Sequence, residues 1–138
     1  WRIFKGMRGK ALVLLYRKEE LEEYVNRPGI RRILGRLGYR GMEMEEMLDR
    51  LAERMDTLGR EEKGFPHEIG ASPGYPAGDV DGFIRTGGRQ YLAVGYWKVY
   101  QDIMCAARTF RSFDEAKVYA VNEFLSGKSL KEILSEEE

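Results

Sequence analysis

The hydrophobic positions of the chain fall into two short continuous runs and several stretches with helical spacing. Residues 11–16, ALVLLY, form a run typical of a strand that is covered on both faces. Residues 91–100, YLAVGYWKVY, form the second run and predict another buried strand. Pairing these two strands gives the simplest core. The helices expected between them allow either a parallel crossover or a more complex strand order.

Elsewhere, apolar residues recur three and four positions apart, which predicts amphipathic helices. Helices are expected over residues 19–25 and 44–58. Another is expected to end at Gly38, with the apolar face Ile30, Ile33, Leu34 and Leu37. Four of the six methionines lie between Met42 and Met55, and at this spacing we expect core packing rather than a pliable binding groove.

The second half of the chain carries helix-end signals. Asp79 is predicted to cap a short helix that Gly87 and Gly88 close. Asp102 is expected to begin the next helix, and the capping-box patterns at 112–115 and 129–132 predict two more.

These elements predict an α/β or α+β fold: a helix-rich single domain over residues 1–138, with a small central sheet that includes strands near 11–16 and 91–100. No apolar run approaches a membrane span, and the single cysteine, Cys105, excludes an internal disulfide. We therefore expect a cytoplasmic protein without membrane contact, with Cys105 buried as a small apolar residue. Because the chain opens on Trp1 instead of methionine, we also expect a native N-terminal segment to be missing.

The charge of the chain is balanced overall but unevenly distributed. Lysine and arginine together number 23, as do aspartate and glutamate, whereas residues 1–40 carry eleven basic against four acidic residues, a local excess of seven. The basic residues 2–40 can attract nucleic acid or an acidic partner, with Arg31, Arg32, Arg36 and Arg40 as the candidates. The alternative is that the two halves of the chain fold together and cancel their charges.

Residues 65–100 are rich in glycine, proline and aromatic residues and hold the only histidine. We expect this segment to follow a defined path and to form a docking surface. The candidate binding residues are Phe65, His67, Glu68, Tyr75, Asp79, Tyr96, Trp97, Lys98 and Tyr100.

Catalysis is an alternative use of the same segment. His67 beside Glu68 can serve in proton transfer, and Lys98 with Tyr100 can line a pocket around the histidine, although structural roles are open for each. Lys98 is expected to pair with Glu68, Asp79 or Asp81 if its role is structural. No metal site is predicted, because the spacing of these carboxylates matches no known ion-binding loop.

Three phrases carry a family resemblance: FPHEIG at 65–70, GYPxxDVxGF at 74–83 and GYWKVY at 95–100. Together with the strand that ends in Tyr16-Arg17, they resemble an uncharacterised Firmicutes family, domain of unknown function 3793. The resemblance covers nearly the whole chain. It implies a cytoplasmic protein and offers a link to redox or iron metabolism, without an activity. Between Ile69 and Asp79 this chain has small residues where the family's pattern has bulky apolar ones.

Two functional hypotheses follow. The first is a non-enzymatic protein-binding or regulatory module, such as an inhibitor or regulator of a larger, nucleic-acid-handling enzyme, with an unidentified protein partner. The second is a small enzyme or cofactor-binding protein with a pocket around His67 and Lys98; flavin, haem or metal would be its cofactor, although none is predicted. Direct nucleic-acid binding through the four arginines is a third reading.

Overall fold

The computed structural model describes residues 2–5, 11–61 and 74–135. This part of the chain holds four short strands and six helices, a helix-rich α+β fold as expected. The chain divides into two compact units, unit 1 over residues 1–90 and unit 2 over residues 91–138. The strands form two separate two-stranded antiparallel sheets, one in each unit.

The described residues of unit 1 form a hairpin and four helices. The hairpin pairs β1 (Arg2–Lys5) with β2 (Ala11–Leu14). The helices are α1 (Lys18–Asn26), α2 (Pro28–Arg36), α3 (Met44–Glu61) and α4 (Ala77–Thr86). Unit 2 contains β3 (Ala93–Val94), β4 (Lys98–Val99), α5 (Ile103–Leu125) and α6 (Leu130–Ser135).

The predicted pairing of residues 11–16 with residues 91–100 is wrong. Residues 11–14 pair with β1, with Val13 opposite Ile3. The run is not covered on both faces either, since Val13 is 51% exposed. A hairpin between neighbouring segments closes a short loop, which loses less chain entropy than pairing across eighty residues.

Unit 1 is built around α3, whose apolar stripe is buried. Met44, Met47 and Met55 lie in the core, which confirms the packing role predicted for the methionines. Tyr24 of α1 and Ile30 of α2 pack into the same cluster. The core therefore gathers α1, α2 and α3 around one set of aliphatic, aromatic and sulfur-containing side chains.

Helix α4 differs from its prediction at one end and agrees at the other. It begins at Ala77 with Pro76 before it, so Asp79 is not the cap; it lies in the first turn and is buried. A proline fixes the backbone angle that precedes a helix, which sets the start three residues earlier than expected. Gly87 adopts the left-handed conformation and the Gly88 amide donates to the Phe83 carbonyl, so the predicted glycine end is confirmed.

Residues 91–100 form a hairpin, not the single strand that their alternation predicts. Val94 pairs with Lys98 across a turn, and the Gly95 amide donates to the Trp97 carbonyl at 3.1 Å. Trp97 packs against Phe110 of α5, with ring centres 4.5 Å apart, and Tyr96 lies 5.0 Å from the Phe113 ring centre. The turn at Gly95 thus folds the aromatic run back onto the helix.

Of the three later helix starts that the sequence predicts, two are confirmed and one is wrong. Asp102 caps α5 by accepting from the Cys105 amide at 2.9 Å, and Ser129 with Glu132 forms a reciprocal capping box before α6, both as predicted. The predicted break at Ser112 is wrong, because α5 runs unbroken for 23 residues. The Ser112 hydroxyl donates to the Arg108 carbonyl within the helix instead of capping a new one.

Candidate functional site

The four arginines singled out in the sequence line one pocket in unit 1. Arg31, Arg32, Arg36 and Arg40, with Gly35, Tyr39 and Gly41, surround a concavity of about 500 Å³. Helix α2 places the first three, since positions 32 and 36 lie one turn apart and 31 is adjacent. The opposite face of α2 buries Ile30, Ile33 and Leu34, which fixes the helix in the core and turns the arginines outward.

Arg31 forms one wall of the pocket and is held by three hydrogen bonds. Its Nε and one terminal nitrogen donate to the Asn26 side-chain oxygen at 2.9 and 2.7 Å. Its other terminal nitrogen donates to the Met42 carbonyl at 2.7 Å. The guanidinium is therefore positioned before any ligand arrives, which reduces the side-chain entropy lost on binding.

Arg36 also has a partner, because it forms an ion pair with a residue of α4. It donates to Asp81, and Arg85 donates to the other oxygen of the same carboxylate at 2.9 Å. The Arg36 hydrogen bond is the main cause that lowers the pKa of Asp81 below its usual range. Asp81 thus bridges α2 and α4 and balances part of the local positive charge.

Arg32 and Arg40 are the two cations of the pocket without such partners. Neither forms a hydrogen bond or ion pair with any residue in the part of the chain that the structure describes, and both are exposed. Gly35 and Gly41 have no atom within 4 Å of where a Cβ would stand, so the wall between the arginines is open. The pocket therefore presents two available guanidinium groups beside a pre-positioned third, an arrangement suited to a carboxylate or phosphate group.

The Asp81 bridge gives a pH-dependent prediction. Because its folded-state pKa is lowered, the bridge adds stability above the unfolded pKa and loses it as pH falls through the folded value. Asp81→Asn should lower the free energy of unfolding by about 0.5–1 kcal/mol at pH 7, since both arginines are more than half exposed, and by less at pH 3.

Urea unfolding at the two pH values measures this difference. Glu53→Gln is the matched control, because Glu53 is exposed and forms no ion pair with a described residue. An Asp81→Asn effect of equal size at both pH values would contradict the assigned role of the carboxylate.

The other predicted site residues belong partly to unit 1, partly to unit 2 and partly to the undescribed segment 62–73. Phe65, His67 and Glu68 lie outside the described residues, so their predicted roles stay predictions. In unit 1, the Tyr75 carbonyl accepts a hydrogen bond from the Tyr24 hydroxyl, whose pKa is raised by burial. Tyr75 therefore ties the chain before α4 to α1.

In unit 2 the aromatic residues Tyr96 and Trp97 of the hairpin contact Phe110 and Phe113 of α5. Trp97 is buried, while the Tyr96 hydroxyl donates to Asp114 at 2.7 Å. The Lys98 ammonium lies 4.9 Å from the centre of the Tyr91 ring. That cation–π contact was not expected.

Unit 2 also has an apolar concavity of about 400 Å³ between α5 and α6. Tyr96, Phe113, Tyr119, Ala120, Ile133 and Leu134 line it, with Ala116 and Lys117. The Lys117 ammonium stands 4.4 Å from the Tyr96 ring centre. Sequence reasoning missed this groove, because it results from the unbroken path of α5 past residue 112.

Cys105 is exposed on the first turn of α5, so the prediction of burial is wrong. The Cys105 amide donates to the Asp102 cap, while its side chain is open to solvent. Within residues 2–5, 11–61 and 74–135, no group of three or more His, Cys, Asp or Glu side chains is placed to hold a metal ion. None of the described helices is long and apolar enough to cross a membrane.

The described residues form a small helix-rich α+β protein with an arginine-lined concavity in unit 1. The family model described as "Protein of unknown function (DUF3793)" matches residues 1–134, so the chain belongs to that family. This confirms the resemblance carried by the three phrases. No curated protein and no solved structure matches the chain.

Proposed function

We propose that this protein is a non-enzymatic binding module that holds an acidic segment of a protein partner in the arginine pocket. The observation that supports the proposal most strongly is the convergence of four arginines on one concavity of about 500 Å³, two of them free of described partners. A guanidinium stays charged at all physiological pH values and offers donors without accepting protons. Such a pocket is suited to binding an anion rather than to transferring a proton.

The shape of the pocket and the net charge of the chain favour an acidic peptide over nucleic acid. Nucleic-acid-binding domains usually carry a strong net positive charge spread along a stripe or face. This chain has a net charge of zero, and its arginines surround a single compact concavity. A short run of aspartate or glutamate, or a phosphorylated residue within such a run, fits that volume and the forked geometry of arginine.

A module of this kind would regulate its partner by occupying the acidic segment. If that segment is needed elsewhere, for example to contact another subunit, the bound module acts as an inhibitor. This would take place in the cytoplasm, in keeping with the single cysteine and the family resemblance.

The test is the binding of a fluorescein-labelled, glutamate-rich twelve-residue peptide to the whole chain, followed by fluorescence anisotropy. Arg32→Glu with Arg40→Glu should weaken binding at least about tenfold, because two attractive guanidinium groups become repulsive carboxylates. The matched control is Arg17→Glu with Lys18→Glu, which makes the same charge change on exposed residues outside the pocket. The control should change binding less than about threefold.

Two results would contradict the proposal. Equal losses in both double variants would mean that the peptide responds only to overall charge. Tighter binding of a single-stranded oligonucleotide of equal charge, again lost on reversal at Arg32 and Arg40, would assign the pocket to nucleic acid instead. Circular dichroism of each variant verifies that the helices remain folded.

A further inference from the structure

Helix α5 carries a second surface, unrelated to the arginine pocket. Seven positions along it alternate three and four residues apart, the spacing of a coiled-coil seam. They are Met104, Ala107, Arg111, Asp114, Val118, Val121 and Leu125. At 1.5 Å per residue the helix is about 34 Å long, and the seam runs along nearly all of it.

The apolar members of this seam are open to solvent in the structure. Met104 is 68% exposed, Val118 61% and Leu125 77%. The hairpin packs beside the seam, through Phe110 and Phe113, and contacts it at Asp114. α6 lies on another side of the helix. Exposed apolar residues aligned along one face of a helix are typical of an interaction surface.

The polar centre of the seam indicates what covers it. Arg111 and Asp114 interrupt the apolar positions near the middle of the helix, one basic and one acidic. The Arg111 side chain is 82% exposed and donates to Glu115 at 2.9 Å. Asp114 accepts from Tyr96 through one oxygen, at 2.7 Å. A buried seam would hold this pair only opposite complementary charges.

We propose that α5 pairs with α5 of a second copy of the chain in an antiparallel two-fold arrangement. In that arrangement Arg111 stands opposite Asp114 of the second copy, and the symmetry repeats the pair in reverse. Met104 then meets Val121, Ala107 meets Val118, and the flanking Arg108 comes near Glu115. A parallel pair in register would set Arg111 against Arg111 and Asp114 against Asp114, so the charges select the antiparallel form.

A second copy of the chain fits the seam because the seam is complementary to itself. Reversing the helix direction matches basic to acidic and apolar to apolar at every one of these layers, which an unrelated partner would have to reproduce by its own sequence. Leu125 extends past the last paired layer and covers the end of the seam. The proposal is independent of ligand binding in unit 1.

Sedimentation equilibrium of the full chain over a range of concentrations tests the pairing. The unchanged chain should form a dimer. Arg111→Asp places two carboxylates opposite each other, and Asp114→Arg places two guanidinium groups opposite each other. The dimer dissociation constant of each variant should therefore be at least about tenfold higher than that of the unchanged chain. Mixing the two variants in equal amounts restores opposite charges at both layers, and the mixture should form a heterodimer.

The mixing experiment separates pairing from a folding defect, because two misfolded variants would not rescue each other. Val118→Glu should also give a monomer, whereas Ser112→Asp, an exposed position of α5 outside the seam, should leave the dimer intact. A chain that stays monomeric at the highest soluble concentration would overturn the proposal, whatever else covers the seam. So would a dimer that persists in both charge variants, or variants that stay monomeric when mixed.

Discussion

Replacing Gly95 with alanine should destabilise unit 2 by about 3 kcal/mol, among the largest effects expected of a single substitution in this chain. A Cβ at this position would overlap the Phe110 ring, at 2.5 Å from its Cδ2 atom. The ring has little freedom to move away, since Trp97 and Tyr96 pack against it. The hairpin would have to lift from α5 to accept the methyl group.

Chemical unfolding, together with hydrogen exchange at the Leu92 amide, measures this effect. That amide donates to the Val99 carbonyl at 2.8 Å, so its exchange reports opening of the hairpin. The matched control is Gly35→Ala in α2, where a new Cβ meets no atom within 4 Å. It should leave stability unchanged or raise it by about 0.5–1 kcal/mol. If Gly95→Ala left the free energy of unfolding and the exchange of the Leu92 amide unchanged, the described packing of the hairpin would be contradicted.

Replacing Ile30 with alanine should destabilise unit 1 by about 3 kcal/mol. Ile30 is 1% exposed and packs into the core from the face of α2 opposite the pocket. The cavity left by three missing carbons loosens the contact between α2 and the core. Because α2 also carries three of the pocket arginines, peptide binding should weaken along with stability.

Thermal and urea unfolding measure the stability, and the anisotropy assay measures the accompanying loss of binding. Leu15→Ala provides the control, since Leu15 is 76% exposed and its truncation should change stability by less than about 0.5 kcal/mol. If the two variants were equally stable, Ile30 would not anchor α2 as described.

The sequence predicted the helical framework well, because each helix of unit 1 has a strong apolar period. The stripes of α2 and α3 identify their buried faces, and Gly87 marks the end of α4 through its positive backbone angle. These signals are local, since a helix satisfies its own hydrogen bonds and needs only one face covered. Helix existence can therefore be inferred without knowing the tertiary partner.

The strands were harder to predict, because pairing depends on partners elsewhere in the chain. β1 is short and has basic residues at both ends, so its pattern is weak, although it supplies the partner of β2. At residues 91–100 the alternation conceals a turn, which forms because Gly95 lets the backbone approach Phe110 closely. Neither feature is visible in the alternation of hydrophobic and polar residues.

The break predicted at Ser112 shows how one motif can have two outcomes. A serine followed three residues later by glutamate begins α6, and the same pattern lies inside α5. The difference is the preceding segment: Gly127 ends α5 with a positive backbone angle, whereas no glycine or proline precedes Ser112 within the helix. A capping box starts a helix only where the previous one has ended.

The candidate site was predicted in its charges but not in its shape. The cluster of arginines between residues 31 and 40 stands out in the sequence, and helical spacing alone places three of them on adjoining faces. The concavity itself depends on the turn after α2, where Gly38 and Gly41 adopt positive backbone angles and bring Arg40 back beside the helix. No periodicity predicts that return.

Amide chemical-shift mapping of the ¹⁵N-labelled chain, titrated with the glutamate-rich peptide, shows directly whether the arginine pocket holds the acidic segment. Binding in the pocket predicts saturable shifts concentrated at residues 31–41, with side-chain Nε signals of the pocket arginines moving in parallel. Shifts concentrated in the 93–99 hairpin instead, or no shifts at any peptide concentration reached, would contradict binding in the pocket.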